Sequence, residues 1–332
     1  MKNPSPVEGL PQPPVRVAEP LSTSAKGILV SVNPRAGAHS AVERVQAIRQ
    51  ALTARGFSVQ ITTDLAELGA KSARWHQSGG LRAVVAAGGD GTASAVRNAV
   101  PASVPLLPLP FGTECLLARH IGQSVVPEEV CDVISNGYVV PLDIGRVDTR
   151  LFLLMMSVGI DAEVIYRLQS QRTGHITHAS YVKPIFEALR NYKYPELRVY
   201  CSDDEVETGP LCCRWLLGFN LPCYARGLRF APQALGTDGL LDLCMFGRGS
   251  TWSLLRYLWQ VTRRRHLNFP EVQILQRQSF RVEAAGNVAV AVQVDGDRAG
   301  RLPIEVEIIP SGLKLLVSAR GADRLGVTLP NN

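Results

Sequence analysis

A glycine-rich turn with one carboxylate carries the strongest chemical signal in this sequence. Gly88, Gly89 and Gly91 surround Asp90, and Thr92 follows. Glycine lets a backbone approach a ligand closely, and N–H groups at the start of a helix attract anions such as phosphate. A carboxylate beside bound phosphate needs a cation between them, which indicates Mg²⁺ held with a nucleotide. The structural alternative is a turn in which Asp90 caps a helix.

The elements around this turn predict a parallel sheet. The apolar residues 81–87 predict a buried strand and residues 93–100 a helix. Upstream, the pattern predicts strand, helix, strand and helix in alternation, which is typical of a parallel sheet with helices on its faces. Ligands bind beyond the carboxyl ends of such strands. We therefore expect Asn33, Thr63 and the glycine turn to face one crevice.

A second loop extends the same edge. The short strand 106–110 leads into Gly112 and Thr113, and a helix is predicted from about 114 to 121. Its hydroxyl and N–H groups are expected to face the crevice.

Composition limits the class of protein and its partners. The chain has 332 residues, enough for two domains, and a net charge of +6 that favours nucleotides, nucleic acid or an acidic membrane surface. No nucleic-acid recognition motif is found, so nucleic acid is not an expected partner. The seven Cys show no zinc-type spacing and indicate a reducing compartment. We expect a cytoplasmic protein, either free or peripherally attached to the inner face of the membrane.

The second half of the sequence has a different pattern of apolar and turn residues. Beyond residue 140, short apolar runs separated by turn residues predict an antiparallel sandwich or barrel. One helix, 252–261, ends in a basic segment and carries Trp252 and Trp259. Two interpretations stay open for it: a helix in a membrane interface, or a helix packed on the β region with basic residues at its C-terminus.

Taken together, the motifs resemble the diacylglycerol kinase catalytic-domain superfamily, which includes bacterial diacylglycerol and lipid kinases and sphingosine and ceramide kinases. The resemblance covers about residues 26–318. It depends on motifs in a fixed order: Asn33-Pro34-x-x-Gly37, Gly88-Gly89-Asp90-Gly91-Thr92, Gly112-Thr113, Ser157-Val158-Gly159-Ile160-Asp161-Ala162, Ala231-Pro232-x-Ala234, Asp238-Gly239-Leu240-Leu241-Asp242 and Val294-Asp295-Gly296-Asp297.

The resemblance implies an α/β fold class with the active site between two domains. An N-terminal parallel-sheet nucleotide domain, like that of NAD kinases, would occupy 26–140. A C-terminal β-rich sandwich domain would occupy 141–318, with its last strands returning to the first domain. A disordered Pro-rich lead (1–25) and a flexible tail (319–332) would flank them.

The resemblance also implies the activity: transfer of the ATP γ-phosphate to a lipid hydroxyl. Asp297 would be the general base, although the family usually has Glu there. Mg²⁺ would bind Asp238 and the carbonyls of Leu235 and Leu240. The implied nucleotide contacts are Asn33, Thr63, Gly88, Gly89, Asp90, Gly91, Thr92, Ala93, Ser94 and Thr113.

One further departure from the family pattern, one structural interpretation and two alternative functions remain. Cys115 stands near where the family has Asn, and a thiol lacks the amide's donor and acceptor pair. The Asp-Gly pair at 295–296 is also typical of a plain hairpin turn. The alternatives are a kinase of a soluble hydroxyl substrate and a non-catalytic nucleotide- or lipid-binding protein. Whether the chain forms a homodimer stays open.

Overall fold

The computed structural model describes residues 16–21, 24–33, 39–170, 182–201 and 209–330. Residues 34–37 of the Asn33-Pro34-x-x-Gly37 motif and most of the Pro-rich lead lie outside these ranges.

The first half alternates strands and helices, as its hydrophobic pattern predicts. Ile28 and Val30 face one side of their strand and Leu29 the other, because side chains alternate along a strand. The elements are β1 (Glu19–Pro20), β2 (Gly27–Val32), α1 (His39–Ala54), β3 (Ser58–Thr62), α2 (Leu65–Gln77), β4 (Leu81–Gly88), α3 (Asp90–Ala99), β5 (Leu106–Pro110), α4 (Leu116–His120) and α5 (Pro127–Asn136).

The second half is mostly strands with three helices inserted and one at its end. Its elements are β6 (Tyr138–Val147), β7 (Arg150–Phe152), β8 (Met155–Val158), α6 (Ile160–Ser170), α7 (Val182–Asn191), β9 (Leu197–Cys201), β10 (Leu211–Cys213), β11 (Trp215–Phe219), β12 (Leu241–Phe246), α8 (Thr251–Thr262), β13 (Val272–Arg277), β14 (Ser279–Ala284), β15 (Ala291–Val294), β16 (Asp297–Arg301), β17 (Ile304–Val317) and α9 (Ala319–Arg324).

Two sheets organise the described residues. The larger has eleven strands with the main order β10-β9-β14-β17-β5-β4-β2-β3, and β6 joins it through β17 with β1 and β7 beside it. Strands β3, β2, β4 and β5 are parallel, so their carboxyl ends share one edge. The smaller sheet has six strands in the order β13-β12-β11-β8-β15-β16.

Three apolar clusters hold these layers. Leu68 of α2 and Val96 of α3 pack on one face of the parallel strands, and Leu52 of α1 and Ile134 of α5 pack on the other. A third cluster, with Phe280 at its centre, fills the space between the two sheets. This confirms the predicted fold class: an α/β half with a parallel sheet and a β-rich sandwich half.

The structure differs from the sequence predictions in its boundaries. The predicted domain boundary at 140/141 falls inside β6, which pairs with β17 along most of its length. The apolar run 151–158 predicted one strand, but it divides into β7 in one sheet and β8 in the other. Helix α5 was not predicted, although Pro127 at its start and Glu128 and Glu129 are usual signals for a helix beginning.

Both ends that the sequence predicted to be flexible contain packed residues in the part that the structure describes. Ala18 and Leu21 of the lead are buried, and Glu19–Pro20 pairs with β6. In the tail, α9 buries Ala322 and Leu325 against the core. Few apolar side chains are enough to order these segments, because each completes a core that the rest of the chain has already built.

Candidate active site

The glycine turn lies at the shared carboxyl edge of the parallel strands. Strand β4 ends at Gly88 and α3 begins at Asp90, with Gly89 as its N-cap. A Cβ atom on Gly112 would lie 2.6 Å from the Cα of Gly89, so the two loops touch backbone to backbone. A Cβ atom on Gly88 would collide with the side chain of Thr92. The glycines are therefore required by close packing, in addition to any role with a ligand.

The carboxylate of Asp90 bonds to the start of the helix that follows the second glycine loop. Its Oδ2 accepts the N–H of Leu116 at 2.8 Å, and its Oδ1 accepts the N–H of Leu117 at 2.9 Å. Burial raises the pKa of Asp90, and these two N–H donors act in the opposite direction. The carboxylate thus caps α4 and joins the two glycine loops. The sequence left open that Asp90 caps a helix, and the helix it caps is α4 rather than its own helix α3.

We expect Asp90→Asn to destabilise the fold by about 1 to 3 kcal/mol, because an amide can accept only one of these two N–H bonds. The measurement is urea unfolding of both proteins. Glu43→Gln, which changes an exposed carboxylate beyond the first turn of α1, serves as the control and should unfold like the wild type. An unchanged urea midpoint in Asp90→Asn would show that the cap contributes nothing.

The other predicted nucleotide residues are placed unequally. Asn33, just after β2, donates from Nδ2 to the hydroxyl of Thr92 at 3.2 Å, so these two lie together. The N–H groups of Thr92 and Ala93 donate to the carbonyl of Gly89 at 2.9 and 3.1 Å. Thr63 and Thr113 are exposed in the loops that follow β3 and β5. Ser94 is half-buried in the second turn of α3.

Cys115 departs from the sequence-based expectation. It is buried in a left-handed backbone conformation, φ 48°. Its sulfur accepts the N–H of Gly112 at 3.0 Å and donates to the carbonyl of Gly88 at 3.6 Å. Burial raises the pKa of this thiol to about 11, so it keeps the proton that it donates. The thiol therefore does supply one acceptor and one donor, and it ties together the two loops.

The Asp-Gly-Asp motif is a hairpin turn between β15 and β16. Asp295 has φ 48° and Gly296 has φ 87°, as a two-residue turn with both central residues left-handed requires. The carboxylate of Asp295 accepts three N–H groups, from Leu153, Leu154 and Met155, at 2.7 to 3.0 Å. Burial raises its pKa to about 7, against the effect of these donors.

Asp297 is exposed at the end of this turn and lies opposite the glycine turn. A Cβ atom on Gly91 would lie 3.8 Å from Asp297 Oδ2. The other oxygen, Oδ1, accepts the side-chain N–H of Gln169 in α6 at 2.9 Å. Two residues 206 positions apart thus face each other: Gly91 of the α/β half and Asp297 of the sandwich half.

Sequence reasoning missed the residues that hold this arrangement. Gln169 also donates to the carbonyl of Gly296 at 3.3 Å. Gln293 is buried, donates to Ser157 Oγ at 2.8 Å, and accepts the N–H of Gly296 at 2.8 Å. The amide at 293 was the available signal, since it interrupts an otherwise apolar run just before the Asp-Gly turn.

The buried thiol of Cys223 is influenced by the charges of Asp90, Asp295 and Arg229. Burial raises the pKa of Cys223 to about 12; Asp90 and Asp295 raise it further, and the exposed Arg229 acts in the opposite direction.

The predicted Mg²⁺ residues lie in the turn before β12. The Asp238 carboxyl accepts the N–H of Leu240 at 3.0 Å, and the carbonyl of Leu235 accepts the N–H of Thr237 at 2.7 Å. Burial and the nearby Asp143 raise the pKa of Asp238 to about 6. Among the described residues, no three acidic, His or Cys side chains are grouped to hold a metal. Asp143 is paired with Arg16 at 2.6 Å, so the donors offered here are the Asp238 carboxylate and main-chain carbonyls, which fit a hard cation that keeps several waters.

Comparison with protein-family models matches both halves of the chain. The diacylglycerol kinase catalytic domain matches residues 27–147. The YegS C-terminal NAD kinase beta sandwich-like domain matches residues 155–317. The chain belongs to the diacylglycerol kinase catalytic-domain superfamily. The family assignment from sequence motifs is confirmed.

Relatives with curated names agree with the family. A diacylglycerol kinase of Mycobacterium tuberculosis is 29% identical over 250 residues, which cover 73% of this chain and 79% of that protein. A diacylglycerol kinase of Bacillus subtilis is 25% identical over 250 residues, covering 73% of this chain and 80% of that protein.

Solved structures share the fold. A putative diacylglycerol kinase from Bacillus anthracis superposes with a TM-score of 0.67 at 18% identity, covering 90% of this chain and 99% of that one. Within the described residues, no helix is both long and apolar enough to cross a bilayer.

Proposed function

We propose that this protein is a lipid kinase that transfers the γ-phosphate of ATP to the hydroxyl of a lipid such as diacylglycerol or a sphingoid base. The observation that carries the proposal is the approach of Asp297 to Gly91 across the two halves. Phosphoryl transfer needs a nucleotide held in place and a group that accepts the hydroxyl proton. The curated relatives, named diacylglycerol kinases, support a lipid as the acceptor.

The nucleotide would bind at the carboxyl edge of the parallel strands. The first amides of α3, from Gly89 to Gly91, are better placed for phosphate than those of Thr92 and Ala93, which already bond to Gly89. The Thr92 hydroxyl accepts from Asn33 and can donate its own hydrogen to a phosphate oxygen. Thr63, Ser94 and Thr113 would add hydroxyl contacts further out. Asp90 would also position these amides, because its oxygens accept two N–H groups from the start of α4.

The acceptor hydroxyl would enter between Gly91 and Asp297. Its oxygen attacks the γ-phosphorus and gives its proton to the carboxylate of Asp297, while the bond to the bridging oxygen of ADP breaks. Gln169 holds Oδ1 of Asp297 at 2.9 Å, which leaves Oδ2, the oxygen nearest Gly91, to take the proton. Asp295 and Gln293 fix the turn from which Asp297 extends.

Mg²⁺ is proposed as the metal of this enzyme, held by Asp238 with the carbonyls of Leu235 and Leu240. When bound, it would supply positive charge that keeps the Asp238 turn in place beside the buried Asp143. This turn pairs with the rest of the sandwich through Asp143 Oδ2, which accepts the N–H of Gly239 at 2.7 Å.

We expect Mg²⁺ to raise the melting temperature of the wild type by a few degrees without nucleotide, because a ligand that binds only the folded state stabilises it. Asp238→Asn should lose this rise, when each protein is compared with its own metal-free sample. Asp323→Asn, an exposed carboxylate in α9, should keep it. An equal rise in Asp238→Asn would contradict the assignment of the metal to this turn.

A panel of acceptors tests the proposed function. Transfer of labelled γ-phosphate would be measured in mixed micelles of diacylglycerol, monoacylglycerol, sphingosine, ceramide or phosphatidylglycerol. Label on one lipid class supports the proposal and names the acceptor. Bound ATP without label on any lipid would overturn it, in favour of a soluble acceptor or a non-catalytic binder.

A further inference from the structure

Helix α8 has apolar side chains on two opposite faces. Leu254, Tyr257 and Val261 are buried. Two tryptophans and one leucine, spaced three and four residues apart, form a second stripe that faces outward: Trp252, Leu255 and Trp259 are 82%, 43% and 52% exposed. Large aromatic side chains at this exposure are unusual on a protein surface unless they contact something.

The inner face holds the helix firmly on the sandwich half. The ring of Tyr257 lies 4.8 Å from that of Phe246, and its hydroxyl accepts the N–H of Arg248 at 3.2 Å. Ser250 caps the helix by accepting the N–H of Ser253, and the Thr251 hydroxyl donates to the carbonyl of Leu189 at 2.8 Å. The outward stripe is therefore presented by a fixed helix.

Positive charge follows directly after the stripe. Arg263, Arg264 and Arg265 are all exposed, and the guanidinium of Arg263 lies 4.0 Å over the ring of Trp259. In the part of the chain that the structure describes, the acidic side chain bonded nearby is Glu271, which pairs with Arg248 at 3.2 Å and with Arg256 at 3.9 Å. The three arginines beyond the helix therefore form an exposed block of positive charge beside the stripe.

We propose that this face, Trp252, Leu255 and Trp259 with Arg263 to Arg265, docks on an anionic membrane surface. Trp side chains favour the headgroup region of a bilayer, and arginines beside them attract anionic lipid. A second copy of this chain fits less well, because a symmetric contact of this face brings two basic segments together. The first turn of α8 has no acidic residue that could neutralise them.

The purpose of this surface rests on the proposed function, since a kinase whose acceptor is a lipid must work at a membrane. Binding to vesicles does not depend on catalysis and can be measured without ATP. Vesicle binding without lipid phosphorylation would overturn the kinase and leave the surface. Phosphorylation of a lipid in micelles without vesicle binding would overturn the docking surface and leave the kinase.

The test is co-sedimentation with vesicles of phosphatidylcholine alone and of phosphatidylcholine with an equal share of phosphatidylglycerol. The wild type is expected to bind the anionic vesicles and to show a blue shift of its Trp emission. Trp252→Ala with Trp259→Ala should weaken binding at least roughly tenfold and remove that shift. Arg263→Gln, Arg264→Gln and Arg265→Gln together should weaken it roughly fivefold per charge, on anionic vesicles only.

Val42→Ala is the matched control, because Val42 is 58% exposed on α1, far along the chain from this surface. It should bind vesicles like the wild type, and all variants should keep the wild-type melting temperature and activity on a water-soluble short-chain acceptor. Unchanged vesicle binding in the double Trp variant would overturn the proposal. So would a wild-type dimer that this variant converts to a monomer, since the face would then serve self-association.

Discussion

Asp297→Asn is expected to lower kcat for lipid phosphorylation by roughly 10²- to 10⁴-fold, the range for loss of a general base. Asn keeps the size of the side chain and can keep the contact with Gln169, but it cannot accept the hydroxyl proton. Because Asp297 is exposed and accepts its side-chain hydrogen bond from Gln169, the variant should fold normally. Steady-state kinetics with saturating ATP measure the effect, and ATP affinity should not change.

Two variants show whether the effect belongs to this carboxylate. Asp132→Asn removes another exposed carboxylate, which lies on α5 and accepts a hydrogen bond from Arg55, and should leave kcat unchanged. Asp297→Glu restores the proton acceptor with one more methylene, so we expect turnover between those of Asp297→Asn and the wild type. Full turnover in Asp297→Asn would exclude this residue as the base.

Gly91→Ala is expected to make the protein more stable and less active. Gly91 is in the first turn of α3, where alanine in place of glycine stabilises a helix by about 0.5–1 kcal/mol. The nearest atom to the added methyl group would be Asp297 Oδ2 at 3.8 Å, so the methyl group fits the empty protein. It would occupy the space through which the phosphate passes, and a displacement of about 1 Å there costs roughly a hundredfold in rate.

Measuring stability and activity together shows whether Gly91 matters for phosphate transfer or only for folding. Urea unfolding and phosphate transfer would be measured on the same preparation. Gly112→Ala is the contrasting variant, because its methyl group would meet the backbone of Gly89 at 2.6 Å and should lower stability as well as activity. A Gly91→Ala enzyme with wild-type turnover would show that phosphate does not pass between Gly91 and Asp297.

Local patterns in the sequence were sufficient for the parallel sheet of the first half, although α5 was not predicted. Alternating strands and helices, with Gly88 to Thr92 between β4 and α3, predicted the parallel sheet and the edge where Asn33 and Thr92 meet. For the second half, short apolar runs predicted a sandwich or barrel, and the family motifs indicated the sandwich and an active site between the two domains. The apolar pattern at 151–158 could not show that the chain leaves one sheet for the other at Leu153 and Leu154, because Asp295 accepts their N–H groups from 142 and 141 residues away.

The role of Asp90 could not be predicted for a similar reason. From sequence, an acid in a glycine-rich turn indicates a cation, but its two oxygens are used by Leu116 and Leu117, which belong to another loop. The thiol of Cys115 likewise finds Gly88 and Gly112 only in the folded chain. Contacts between distant loops depend on topology, which residue spacing does not describe.

The most direct test of the central claim is transfer of labelled phosphate from ATP to diacylglycerol, or to the lipid that the acceptor panel selects, with Gly91→Ala as the folded blank. We predict a labelled, phosphorylated lipid with the wild type and a loss of about a hundredfold with the variant. No labelled lipid from a wild-type protein that is folded and binds ATP would contradict the account.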